Sequence, residues 1–201
     1  PEVIINTCGR PCDGFELKLW DAENSNRAVA QGEIGELGAR GCCLMLGYFD
    51  DQGNTERSFN DDGWFMTGDL GQLDEGGNLK IVGRKKDLII RGGHNIHPAR
   101  IEDLTMRHGA VFKAAAFPVP DPRLGEKVCL AVVTKNNISL GADDVLAHLD
   151  QLGLSRYDMP EYYIQMSSFP LTASGKILKR KMVEDVACGA IAPAPVRFQS
   201  K

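Results

Sequence analysis

The sequence predicts two successive units of different class. Residues 1–86 read as a β-rich small barrel or curled sheet, and residues 87–188 as an α+β unit. Three observations carry this reading. Glycine recurs every few residues in the first unit, and each glycine inside a helix costs about 1 kcal/mol, which excludes long helices there. Apolar and polar residues alternate with period two in the same region, the pattern of half-buried strands. After "GRKKDLII" the pattern switches to helical spacing interleaved with continuous apolar runs, placing the boundary near Lys85 to Leu88. Residues 189–201, "GAIAPAPVRFQSK", contain Pro193 and Pro195 and are expected to form a loose tail.

In the first unit, "FELKLWD" alternates as a strand should. "GEIGELGARGCCLMLGYF" reads as short strands and turns. "GWFMTGDLGQLDEGGNLKIVGR" reads as two strands around the turn "DEGGN". In the second unit, "HPARIEDLTMRHG" predicts a helix. Pro98 suits its first turn, Ile101 and Leu104 share a face, and Gly109 can end it. "VFKAAAFPVPD" and "EKVCLAVVTK" predict strands joined by the turn "DPRLG". "GADDVLAHLDQLGL" predicts a second helix with Val145, Leu146 and Leu149 on one face. "EYYIQM" is a short strand, and "ILKRKMVEDVA" a short helix.

The 201 residues carry 23 basic and 27 acidic side chains, a formal charge of −4. That balance argues against a nucleic-acid binder, which would show a basic surplus. No apolar run is long enough for a membrane span, and no signal peptide opens the chain, so a cytoplasmic protein is expected. The chain begins at Pro1 rather than Met, as a fragment or processed chain would. The six cysteines, Cys8, Cys12, Cys42, Cys43, Cys129 and Cys188, are expected to be reduced and mostly buried. They form neither a thioredoxin-type spacing nor a zinc set, and no metal ligands are assigned.

Three stretches carry candidate chemistry. In "PLTASGKILKRKM", Lys176 follows Gly175 in a loop of small and hydroxylated residues. A lysine ammonium is a compact charge suited to a phosphoryl or acyl-phosphate centre. It would equally serve as a solvated lysine opening a basic helix, and spacing alone favours that second reading. The stretch is not a P-loop, because Leu171 stands where that motif needs glycine and Ile177 follows the lysine. In "TGDLG", Asp69 could accept hydrogen bonds from a ribose diol, or could simply bond its own turn. In "GRKKDLIIRGGHNIHP", Arg84, Lys85 and Lys86 surround few acids, and Arg91 precedes Gly92 and Gly93. Paired glycines beside an arginine could line a groove for a phosphate or an extended ligand, and the alternative is a charged interdomain hairpin. His94 and His97 read as ordinary loop residues rather than metal ligands.

Together, "GELGARGCCLMLGY", "DGWFMTGDLG", "GRKKDLIIRGGHNIHPARIE" and "PLTASGKILKR" resemble, in order and spacing, the adenylate-forming enzymes. These include acyl-CoA and aryl-CoA synthetases, adenylation domains of peptide synthetases, and luciferases. The resemblance runs from Gly9 to Val186 and implies the carboxy-terminal portion of that fold. It implies a two-step reaction, in which a carboxylic acid and ATP give an acyl-adenylate and pyrophosphate, and a thiol, often that of CoA, displaces AMP. It implies that Asp69 and Arg84 meet the ATP or AMP ribose and phosphate. Lys176 would be the catalytic lysine of adenylation, and Asp87 the hinge on which a mobile domain over residues 87–188 turns. Arg91, Gly92 and Gly93 would face the pantetheine channel of CoA.

The family's phosphate-binding loop and its metal-binding glutamate are not in this sequence. Both are expected in a missing amino-terminal domain of the same enzyme, together with the Mg2+ ligand and most of the acid pocket. The chain alone is therefore expected to be inactive. Where many relatives carry a lysine, this chain has Asp158, which weakens the implied contact with CoA phosphates. Two other readings stand beside the CoA ligase: an adenylation domain that loads a carrier protein, and a non-catalytic binding module on the same fold.

Overall fold

Alternation along the early chain is realised as a four-stranded antiparallel meander. The computed structural model describes residues 7–198 and divides into two units, Pro1–Lys86 and Asp87–Lys201. The first contains β1 (Phe15–Trp20), β2 (Gly35–Gly41), β3 (Phe65–Leu73) and β4 (Leu79–Arg84), paired in that order. Among the described residues β1 and β4 do not pair with each other; Cys8 and Gly9 bond β4 at Leu79, and Val29 bonds β1 at Leu19, so both edges are partly covered. Leu19, Leu37 and Leu79 form its buried cluster, with Leu17, Val29 and Leu73 against them. Beside it Trp20 and Trp64 meet at 5.9 Å between ring centres. A short helix, α1 (Gln52–Arg57), lies between β2 and β3. Its signal is local: the Asp51 carboxylate caps it by accepting from the Asn54 N–H at 3.0 Å.

The second unit is a mixed sheet with helices on both faces. It contains β5 (Ile89–Arg91), β6 (His94–Ile96), α2 (Pro98–Met106), β7 (Val111–Asp121), β8 (Gly125–Thr134), α3 (Ala142–Gln151), β9 (Tyr162–Gln165), α4 (Lys179–Ala187) and β10 (Ala194–Pro195). Strand β8 is central: it pairs antiparallel with β7, parallel with β9, and meets β5 at the Arg91–Gly125 bridge. Its residues Val128–Thr134 are all buried, which explains a continuous apolar run where a one-sided strand would alternate. Val128, Leu130 and Val132 face a core completed by Ile101 and Leu104 of α2 and Val145, Leu146 and Leu149 of α3. Cys129, Ala131 and Val133 face the other core, completed by Phe117, Phe169 and Met182 of α4.

Two expectations need correction. Residues 189–201 are not uniformly loose. Ala194 and Pro195 pair with β9, the Val196 N–H donates to the Glu161 carbonyl at 2.8 Å, and Val196 and Phe198 pack on the first core. A proline can sit on an edge strand because no partner asks for its N–H; residues 199–201 lie outside the described set. The thiols are mostly exposed rather than buried: only Cys129 is buried, and the other five occupy loops, turns and a helix end. Among the described residues no helix is long and apolar enough to cross a membrane.

Candidate functional site

Asp69 and Arg84 are cross-strand neighbours of β3 and β4, and their side chains form an ion pair at 2.9 Å. Gly68 makes this possible. Its φ of +75° lies in the left-handed region, and the register shifts just beyond, between Leu70 and Gly71. The Asp69 N–H donates to Thr67 Oγ1 at 3.1 Å, and that hydroxyl donates in turn to the Leu37 carbonyl at 2.9 Å. Thr67, Gly68, Arg84, Lys85 and Lys86 line an open cleft of about 410 Å3. Lys85 Nζ turns to the buried Glu36 carboxylate at 2.7 Å. The exposed strand end is thus a polar shelf with Arg84 and Lys86 as cations and one carboxylate, Asp69, beside them.

In the second unit Lys176 sits on a tight hairpin. The Gly175 N–H donates to the Thr172 carbonyl at 2.9 Å, and the Thr172 N–H donates to the Lys176 carbonyl at 2.8 Å. Thr172 Oγ1 accepts from the Lys176 N–H at 3.0 Å, and Leu171 bridges Ile177. Gly175 has φ +81°, the left-handed residue that closes this turn with a bulge. The hydroxylated residues around the lysine are therefore scaffold: Thr172 holds the turn and Ser174 bonds it at 2.9 Å. The next three cations are all paired. Lys179 meets Glu102 at 2.6 Å, Arg180 meets Glu184 at 3.0 Å, and Lys181 meets Asp185 at 2.8 Å. Lys176 is exposed and has no ion-pair partner among the described residues.

Arg91, Gly92 and Gly93 form the tip of the β5–β6 hairpin. Both glycines have positive φ, +59° and +85°, the requirement of a type I′ two-residue turn. The turn is tied down by the Gly92 N–H donating to the Leu124 carbonyl at 2.7 Å. Arg91 is fixed by Glu161, with Nε to Oε1 at 2.5 Å, while Glu161 Oε2 accepts from the Val128 N–H at 3.0 Å. The same hairpin places His94 on β6, with Nε2 2.8 Å from Asp158. His97 caps nothing: its Nδ1 is buried without a partner, and burial holds its imidazole below the usual histidine range. Among the described residues no group of three or more His, Cys, Asp or Glu side chains could hold a metal ion.

Asp87 ends the 3-10 turn Lys85–Asp87 and opens the second unit. The structure brings Asp69 and Arg84 together, and separately sets Arg91, Gly92 and Gly93 in one turn. It holds Lys176 on a different hairpin. Sequence reasoning missed Glu36, Glu102 and Glu161, the acids that fix Lys85, Lys179 and Arg91. Nothing local in the sequence marks these acids, because each partner lies far along the chain.

Residues 100–176 match the AMP-binding enzyme C-terminal domain family. The chain is 36% identical over 184 residues to the medium-chain fatty-acid–CoA ligase of Escherichia coli, covering 91% of this chain and 32% of that protein. It is 39% identical over 204 residues to the salicyl-AMP ligase / salicyl-S-ArCP synthetase of Mycobacterium tuberculosis, covering 99% and 34%. Among solved structures, ATP-bound MatB from Rhodopseudomonas palustris matches with a TM-score of 0.82 and 32% identity, covering 89% of this chain and 35% of that one. The chain spans about a third of the length of the curated relatives it matches. Four motifs in register, the folded sheets that carry them and relatives matched along nine-tenths of the sequence lead to one family: the chain belongs to the adenylate-forming, AMP-binding enzyme superfamily.

Proposed function

We propose that this chain is part of an ATP-dependent acid–thiol ligase. The complete polypeptide activates a carboxylic acid as its acyl-adenylate and passes the acyl group to the thiol of CoA. The observation that carries this reading is the state of Lys176. Four cations lie between residues 176 and 181, three of them are neutralised, and the fourth is held out on a stiff hairpin with its charge uncompensated. A structural lysine in this cluster would be expected to find an acid as its neighbours do. An ammonium held ready for a developing phosphoryl anion would not, since a preorganised charge stabilises the transition state without reorganising. Asp69 and Arg84 supply the acceptor and the cation for the ribose and phosphate of the nucleotide.

ATP would bring Mg2+ with its phosphates, the ion neutralising charge on the phosphoryl oxygens. Its protein ligand would lie outside this sequence, as would the acid pocket. Residues 87–188 would act as one body turning at Asp87, offering Lys176 for adenylation and the Arg91–Gly92–Gly93 turn for thioester formation. By itself the chain would form no adenylate. A second reading, transfer to a carrier-protein thiol, is favoured by the likeness to the mycobacterial salicyl-S-ArCP synthetase and by Asp158. That carboxylate pairs with His94 and puts an acid where CoA phosphates would need a cation.

The test is Lys176→Ala in the complete polypeptide. Adenylation, followed as acid-dependent pyrophosphate release, is expected to fall at least a hundredfold. Thioester formation from supplied acyl-adenylate should persist. Equal losses in both half-reactions would overturn the assignment, and parallel assays with CoA and a carrier protein decide the acceptor.

A further inference from the structure

We propose that Glu102 is a positioning residue for Lys176, clamping the start of α4 to α2 and β7. Glu102 lies on α2, yet one of its oxygens, Oε1, takes both the Lys179 ammonium at 2.6 Å and the Ala116 N–H of β7 at 2.7 Å. The two side chains are only 17% and 25% exposed, so this is an interior junction rather than a surface pair. Three elements meet at a single carboxylate oxygen. Burial pushes the Glu102 carboxyl up, and the nearby Asp87 pushes it further up, while Lys179 and the Ala116 amide hold it down. A carboxylate in such a place stays charged only with its partners in position, and losing one leaves a buried charge uncompensated.

The helix needs this acid. Helix α4 opens with Lys179, Arg180 and Lys181, three cations at the end where the backbone dipole is itself positive. No side chain caps that end, and no acid stands in its first turn. Arg180 and Lys181 find acids four residues on within the helix; Lys179 is neutralised from outside, by Glu102.

Lys179 is also the residue through which the junction reaches the hairpin, since only Ile177 and Leu178 separate it from Lys176. The Leu178 N–H donates to the Pro170 carbonyl at 2.9 Å, Leu171 bridges Ile177, and Ile177 packs on the second core. The hairpin is thus closed on itself, and its outgoing arm is tethered to the sheet by Glu102. Loss of that tether releases the arm toward solvent without removing any group from the lysine.

The inference rests on the reading of Lys176 given above, so the experiment separates the two. Glu102→Gln keeps the shape and an acceptor for the Ala116 amide, and removes the charge. In the complete polypeptide, adenylation kcat is expected to fall about tenfold to a hundredfold, the scale of a misplacement near 1 Å. KM for acid and ATP should stay within about twofold, and thioester formation from supplied acyl-adenylate should be unchanged. Amide exchange at Gly175 and Lys176 should accelerate while β7 and β8 stay protected. Lys179→Met, which breaks the pair from the other side, should repeat the pattern and guards against a folding defect peculiar to the first variant. Unchanged exchange and unchanged adenylation in both variants overturn the clamp, as do equal losses in both half-reactions. If exchange rises but Lys176→Ala leaves adenylation intact, the clamp stands and the role of Lys176 fails.

Discussion

Gly175→Ala tests whether the hairpin, rather than the lysine alone, is the functional unit. Glycine at this position has φ +81°, and a methyl group placed there would meet nothing within 4 Å. The cost is therefore torsional. An L-residue in the left-handed region loses about 1–2 kcal/mol relative to its preferred conformation. Restriction of the opened chain by alanine returns about 0.4–1 kcal/mol, in local opening as in global unfolding. The opening of the hairpin thus carries a net penalty of about 0.8 kcal/mol, a factor of about 4 in its opening equilibrium. Three amides report it, those of Thr172, Gly175 and Lys176, because each donates within the turn. Their hydrogen exchange should accelerate by that factor, and the melting temperature should fall by a few degrees at most. Adenylation should drop by no more than the same factor. Gly175→Asn should fall between glycine and alanine, since asparagine tolerates the left-handed region. Alanine exchange equal to that of the parent, or asparagine as damaging as alanine, would refute the argument.

Other outcomes follow from the same structure. Asp87→Pro, at the unit boundary, should stop the chain from changing torsion there and impair whichever half-reaction needs the other arrangement; survival of both would remove Asp87 as the hinge. Met182→Ala, at a fully buried site in the second core, should lower the stability of residues 87–198 by about 2–5 kcal/mol, read as a shift of the urea midpoint with unchanged slope. Asp121, at the β7–β8 turn, is held down to about 2 from the ordinary 3.8 by Lys127 and by the N–H groups of Leu124 and Arg123. Its folded value lies below its unfolded one, so its contribution is complete above 3.8 and disappears as pH falls toward about 2. Asp121→Asn should flatten acid unfolding across that window, and an unchanged acid profile would count against the pairing.

The strands and helices of the second unit were legible because their signals are local and periodic. The predicted strands over "VFKAAAFPVPD" and "EKVCLAVVTK" correspond to β7 and β8, and Val145, Leu146 and Leu149 share a buried face as their spacing requires. The six-residue helix α1 escaped because a short capped turn is too brief to establish a period. The Pro-rich tail misled because proline forbids donating to a sheet but not lying on its edge. The candidate site was legible only through four motifs taken together. Nothing near Lys176 in sequence distinguishes a presented cation from a solvated one. That distinction lies in which cations have acids beside them, and Glu102 reaches Lys179 across the fold rather than along the chain. The same limit hid Glu161 behind Arg91.

Burial of β8 on both faces has a mechanical consequence. The Gly92–Gly93 turn is bonded at one end of this strand through Leu124 and Gly125, and the Lys176 hairpin continues from β9, which pairs along its side. Side chains interlocked above and below the strand give neither attachment a compliant layer in which to slide. Both tips thus hang on one packed sheet. Under the proposed hinge at Asp87, both tips would then travel with that sheet as one piece.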